Sequence, residues 1–216
     1  MRNFVLDFKI KKELKRFKNF KKSFKFEMLE LTKKEDGSVF YGELCLREGE
    51  TGDWLGETDD FVNVGYTNKG KLTKVLSNLF PYKFYFKGRV HSSIETVFQS
   101  FKFKDKKSQK LVLEYDGFNA NRIKNCSNYD WRKTGIVYYF GKPMVRDSKE
   151  YDDFIDEMYV SLLFNPLFVG ALKNAGSKYI MHSMGISEKT ETTFTRYEFE
   201  FMLNCLKEYA QKNIVR

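Results

Sequence analysis

The sequence predicts an α+β domain, mainly helical, with short strands and a basic N-terminal extension. Three observations carry this expectation. From Tyr151 onward, apolar residues recur at helical spacing, first as Tyr151, Phe154, Ile155, Met158 and Leu162. Ahead of that point, short runs rich in Val, Tyr and Phe are bounded by Gly- and Asp-bearing turns, the signature of strands of a few residues. The first 34 residues are different again, Lys-rich with interleaved Phe. A chain of 216 residues fits one sizeable domain with an extension, and 42% hydrophobic content with 22 Phe and 13 Tyr is ample for a core. The expected division is residues 1–73, the basic extension and a turn-rich β segment packed on the main domain, and 74–216, the main domain.

In chain order, "KIKKELKRFKNFKKSFKF" reads as a helix with Leu14, Phe17, Phe20 and Phe24 on one face. Read as a strand from Phe20, it aligns Phe20, Phe24 and Phe26 equally well. Residues 35–70 are turn-rich ("EDGS", "REGETGDWLGETDD", "TNKGK"), with "VFYGELCL" and "DFVNVGY" as strands between them. Their acidic cluster, Asp53, Glu57, Asp59 and Asp60, does not follow a calcium-loop pattern and reads as a screen for basic neighbours. "YKFYFKGRV" reads as a short strand, "SSIETVFQSFKF" as a helix, and "TGIVYYFGKPM" as a strand ending at Gly141 and Pro143. "KLVLEYDGFNANRIKN" is mixed. Asn165 caps a helix with Pro166 at its first position, and Gly176 stops it. Thr195 and Glu198 form a capping box for a last helix that buries Phe199, Met202, Leu203, Leu206 and Ala210.

Composition narrows the function. A formal net charge of +9 favours polyanionic partners, nucleic acid or nucleotides, although a Lys-rich soluble surface produces the same figure. Cys45, Cys126 and Cys205 are odd in number and widely spaced, so they suggest neither a zinc motif nor a disulfide framework and point to a reducing cytoplasm. With His91 and His182 as the only histidines, a histidine-rich metal site is not expected. No apolar run is long enough to span a bilayer, and a signal peptide is not expected. Walker A, dinucleotide-glycine and Gly-x-Ser-x-Gly motifs are lacking, so any chemistry falls to carboxylates, aromatics and basic side chains.

The stretch from Ser92 to Phe103 concentrates such side chains. Ile94, Val97, Phe98 and Phe101 make the buried face of a helix, while Glu95, Gln99 and Lys102 run beside it as a polar stripe. A carboxylate walled by aromatics can act as an acid or hold a hydroxyl or a water. Gln99 can bond a base or a ribose, and Lys102 a phosphate. The competing reading makes Ser92 to Glu95 a capping box, with Glu95 reaching back to the Ser92 amide.

"LSNLFP" at 76–81, an extended segment, and then "SSIETVFQSFKF" resemble the NADAR or YbiA-like superfamily, through Ser77, Asn78, Ser93, Glu95, Phe98, Gln99, Lys102 and Phe103. More loosely, "KPMVRDSKEYDDFIDEMY", "FNPLFVGALKNAG" and "YEFEFMLNCLKE" look like that family's later segments, so the resemblance covers about residues 74–209. It implies a single, mainly helical YbiA-like domain and an N-glycosidase-like hydrolase without metal or cofactor. Its substrates would be ADP-ribosylated nucleobases or phosphoribosyl-amino-pyrimidines. Glu95 would be the catalytic carboxylate, with Asn78, Gln99, Lys102 and Arg146 lining the ligand. Tyr151, or alternatively Trp131, would take the place of a stacking tryptophan. The family's late Asp and Trp-Gly pair have no counterpart in "MHSMGISEKTETTFT", where His182, Ser183 or Glu188 stand instead. His182 is also readable as an ordinary hydrogen-bonded histidine. Two alternatives remain: a non-catalytic module binding NAD or ADP-ribose, and a nucleic-acid-binding protein using its basic N-terminus.

Overall fold

The computed structural model describes residues 2–28, 31–33, 39–41, 44–46, 56–65, 70–123 and 129–214. Cys126, Asp53 and the "EDGS" turn lie outside these residues, as do most of "REGETGDWLGETDD" and "TNKGK". The fold is α+β, with helices dominant and strands confined to small separate sheets.

The basic N-terminus is helical: α1 spans Arg2–Ser23. Phe17 is fully buried and Ile10 nearly so, while Leu14, Phe20 and Phe24 pack against the core. The strand alternative from Phe20 is therefore set aside. Phe24 and Phe26 follow the helix and meet Phe201, with ring centroids 5.7 Å apart in each case. β1 (Leu31–Lys33), β2 (Val39–Tyr41) and β3 (Leu44–Leu46) form an antiparallel meander.

β4 (Phe61–Asn63) is followed by the short α2 (Lys71–Val75). The segment expected as one strand after Pro81 is a hairpin, β5 (Phe84–Phe86) and β6 (Arg89–His91), turning at Lys87-Gly88. Both turn residues have positive φ, 49° and 79°, as the hairpin turn that matches strand twist requires. The same device recurs at Phe140-Gly141, with φ of 49° and 75°. There β7 (Ile136–Tyr139) pairs with β8 (Lys142–Val145), so Gly141 turns the chain and Pro143 sits inside β8 opposite Tyr138. The expected strand end is thus a turn, and Pro143 is tolerated because the two-stranded sheet leaves β8 an open edge.

Between the hairpins lie α3 (Ile94–Ser100), α4 (Lys106–Glu114), α5 (Gly117–Arg122) and α6 (Trp131–Thr134). The mixed stretch 110–125 thus supplies the end of α4 and all of α5, each started by an aspartate cap, Asp105 and Asp116. The C-terminal half is α7 (Lys149–Leu162), α8 (Pro166–Asn174), β9 (Tyr179–Met181) and α9 (Arg196–Asn213). Asn165 caps α8 ahead of Pro166, and the Thr195–Glu198 capping box opens α9. The five apolar residues expected on the inner face of α9 are all buried. β9 pairs in parallel with β4, joining residues more than 100 positions apart.

Helix α7 is central. Tyr151, Ile155, Met158, Tyr159 and Leu162 are buried on one side of it, and on another Lys18 and Lys21 of α1 donate to Asp153 and Asp156. The side chain of Tyr209, on α9, donates to Glu13 and takes Phe17 edge-on at 5.6 Å, so α1 is held by both helices. Among the described residues, no single helix is long and apolar enough to cross a membrane.

Candidate functional site

The polar stripe on α3 is presented by its own cap. Ser93, one residue later than the capping box requires, is the N-cap, and its Oγ accepts from the Thr96 amide at 3.2 Å. Glu95 is therefore in the second helical position, too early to close a box onto Ser92. Its carboxylate turns outward instead. Oε1 accepts from Gln99 Nε2 at 2.6 Å, one helical turn on, and from Asn121 Nδ2 of α5 at 2.8 Å. The backbone amide of Glu95 donates to the carbonyl of Asn78 at 2.9 Å, which ties the turn after α2 to the start of α3.

Asn78 is oriented from behind. The hydroxyl of Tyr159, on α7, donates to its Oδ1 at 2.7 Å and leaves Nδ2 as a donor toward the cleft. Burial raises the Tyr159 pKa well above its ordinary value; the Asn78 bond acts the other way and the nearby Glu95 carboxylate adds to the rise, so this hydroxyl stays a donor.

The β4–β9 pair delivers His182. Its Nδ1 lies 2.7 Å from the Val64 carbonyl, just past β4, while its backbone amide donates to Glu200 at 2.7 Å. A carbonyl only accepts, so Nδ1 carries the proton and Nε2 is an acceptor. Burial lowers the His182 pKa, against the Val64 bond and with help from the Arg196 charge, and keeps the ring neutral.

These side chains meet at one cleft of about 290 Å³. Asn78, Glu95, Gln99, Lys102 and His182 line it, which brings together five of the residues expected from sequence. Arg146, Tyr151 and Trp131 do not line it. Arg146 sits behind the wall, binding Glu198 through both terminal nitrogens at 3.0 and 2.6 Å and Asp147 at 2.6 Å. Tyr151 is buried, its ring 5.2 Å from the Arg146 guanidinium and its hydroxyl donating to the Thr193 carbonyl, so it has no face to offer a ligand. Trp131 is 2% exposed in the core. Arg146 and Tyr151 instead brace the segment 191–194, which is the opposite wall of the cleft.

Of the charged and amide-bearing lining residues, three escape a reading of the sequence. Asn121 comes from the patternless α5, Arg132 from α6, and Glu191 from the segment in which Glu188 was the acid under consideration. Only Glu191 had a signal, its closeness to Glu188 in sequence. Ser183 bonds Asn63 and lies outside the cleft lining. Among the described residues, no three His, Cys, Asp or Glu side chains gather closely enough to hold a metal ion.

Residues 70–208 match the family described as Bacteriophage protein GP30.3. No curated protein matches the chain in sequence. Among solved structures, the E. coli protein YbiA, determined by NMR, superimposes with a TM-score of 0.48 and 13% identity, over 71% of this chain and 86% of that one.

Proposed function

The chain belongs to the Bacteriophage protein GP30.3 family, and we propose that its cleft hydrolyses a C–N ribosyl bond, with Glu95 as the catalytic carboxylate. The observation that carries this reading is the state of Glu95. Two amide donors hold one of its oxygens, fixing the side chain of this cleft-lining residue, while Oε2 accepts from no group among the described residues. Loss of a base from ribose builds positive charge on the sugar; a fixed carboxylate oxygen beside that carbon stabilises the charge and orients the attacking water. Lys102 and Arg132, on the same lining, suit a phosphate. The volume is at the small end for ligand sites, about 300–1,000 Å³, and suits a sugar phosphate or mononucleotide portion of a larger substrate. The NADAR resemblance of the α3 stripe supports the same chemistry and the same substrate classes, ADP-ribosylated nucleobases and phosphoribosyl-amino-pyrimidines.

The test is turnover followed by mass spectrometry. Wild type and Glu95→Gln are incubated with ADP-ribosylated guanine in DNA, NAD, ADP-ribose and a ribosylamino-pyrimidine phosphate. Release of base or ribose phosphate by wild type alone is expected. Binding without release from any of them would make the cleft a non-catalytic module.

A further inference from the structure

The cleft is unbalanced in its hydrogen-bonding groups. Gln99 is 5% exposed, and its Oε1 is buried with no hydrogen-bond partner among the described residues. Flipping the amide does not relieve it, because the oxygen would then face the Glu95 carboxylate now held by Nε2 at 2.6 Å. An unmet buried carbonyl is costly, and a ligand donor removes the cost. His182 is fixed as a second acceptor through Nε2, since Val64 holds the proton on Nδ1. Glu95 Oε2 is a third. Against these acceptors stand Asn78 Nδ2 and the cations Lys102 and Arg132.

A cationic ligand group would meet Lys102 and Arg132, and a base edge would set its own ring acceptors against Gln99 and His182. A hydroxyl suits the surroundings better, because it donates to one neighbour and accepts from another. It satisfies Gln99 or His182 while taking the Asn78 amide. We propose that this cleft selects ribose over 2-deoxyribose, with Gln99 Oε1 and His182 Nε2 as the acceptors that read the sugar hydroxyls. The proposal rests on the ribosyl reading above and makes these two side chains its specificity-determining residues.

The experiment is calorimetric titration of the full chain with ribose 5-phosphate and 2-deoxyribose 5-phosphate. Wild type is expected to bind the ribose form at least about tenfold more tightly, since the deoxy ligand leaves a buried acceptor unmet. Gln99→Met and His182→Phe, checked for folding by thermal melting, are each expected to shrink that ratio toward one. The ratio is the informative quantity, because a merely structural disturbance weakens both ligands alike. Equal binding by wild type, a ratio unchanged in both variants, or no binding of either sugar phosphate would each overturn the proposal. Hydrolysis is judged separately: discrimination without turnover would refute the enzyme and keep this inference, whereas turnover of ribosyl and deoxyribosyl substrates alike would do the reverse.

Discussion

Replacing Arg146 by Met separates a ligand-binding arginine from a structural one. The side chain is 5% exposed and spends both terminal nitrogens on Glu198, which is 23% exposed. Breaking a fully buried ion pair costs about 3–5 kcal/mol, because the surviving charge is stranded. Glu198 is not fully stranded: water reaches it, and it still accepts from the Thr195 amide at 2.7 Å. The expected loss is therefore about 2–3 kcal/mol, below that range. With a urea slope of about 2 kcal/mol/M, the unfolding midpoint falls by roughly 1–1.5 M. Arg146→Lys is expected to recover less than half, since an ammonium cannot bond both carboxylate oxygens in the same fork. Ligand affinity falls in parallel with stability, because Arg146 and Tyr151 brace the wall formed by residues 191–194. An unchanged midpoint accompanied by lost affinity would refute this reasoning and return Arg146 to direct ligand contact.

Other outcomes follow from the same geometry. Gly117→Ala puts a Cβ 2.7 Å from the Leu79 carbonyl oxygen and 2.9 Å from the Ser93 Oγ that caps α3. Overpacking of this kind costs about 1–3 kcal/mol, so a melting temperature equal to wild type would show that the backbone there yields. His91 is almost fully buried and its pKa is lowered to about 4, by burial first, against the bond to the Phe86 carbonyl and with the Arg89 charge. The unfolded chain takes up this proton first, near pH 6.5, so the contribution to stability is complete above that pH and drains away as pH falls through 4; it amounts to roughly 3 kcal/mol. Proton NMR checks this directly, since a His91 ring signal that titrates near 6.5 would contradict it. Changing the exposed Lys11, Lys12 and Lys15 to Glu tests the nucleic-acid reading of α1. If that reading holds, salt-sensitive binding to DNA or RNA is lost with the melting temperature unaltered; if the triple variant still binds, α1 is not the contact.

What the sequence displays well is burial with a regular period. Helices α7 to α9 could be read from apolar spacing and from side-chain caps, Asn165 and Thr195 among them. The hairpins could not be read in the same way. Their turns are Lys-Gly and Phe-Gly, not the Asn-Gly or Asp-Gly pair that announces a reversal, and β5, with Phe84 and Phe86 buried and Tyr85 partly so, shows no polar alternation. In the cleft, Glu95, Gln99 and Lys102 could be grouped because one helix carries them. Asn121 could not, since its bond to Glu95 joins residues 26 positions apart. For Arg146 the family resemblance implied a ligand contact; the anion it holds is instead Glu198, 52 residues away.

The placement of α1 decides how charge and cleft relate. Tyr159 reaches Asn78 in the cleft from one side of α7, whereas Asp153 and Asp156 receive Lys18 and Lys21 from α1. At about 100° per residue and measured the short way round, Asp153 and Asp156 lie about 160° and 140° from Tyr151, and about 120° and 60° from Tyr159. The ion-paired edge of α7 therefore turns away from Tyr151, which braces the cleft wall, while Asp156 lies nearer Tyr159. The lysines of α1 and the acceptors of the cleft are carried by different elements. No α1 residue is among the described residues lining the cleft, so a free sugar phosphate enters it without touching α1. Salt dependence distinguishes the two routes: steering by α1 makes the apparent affinity fall steeply with ionic strength, while a ligand read by Gln99, His182 and Asn78 loses only its phosphate contribution.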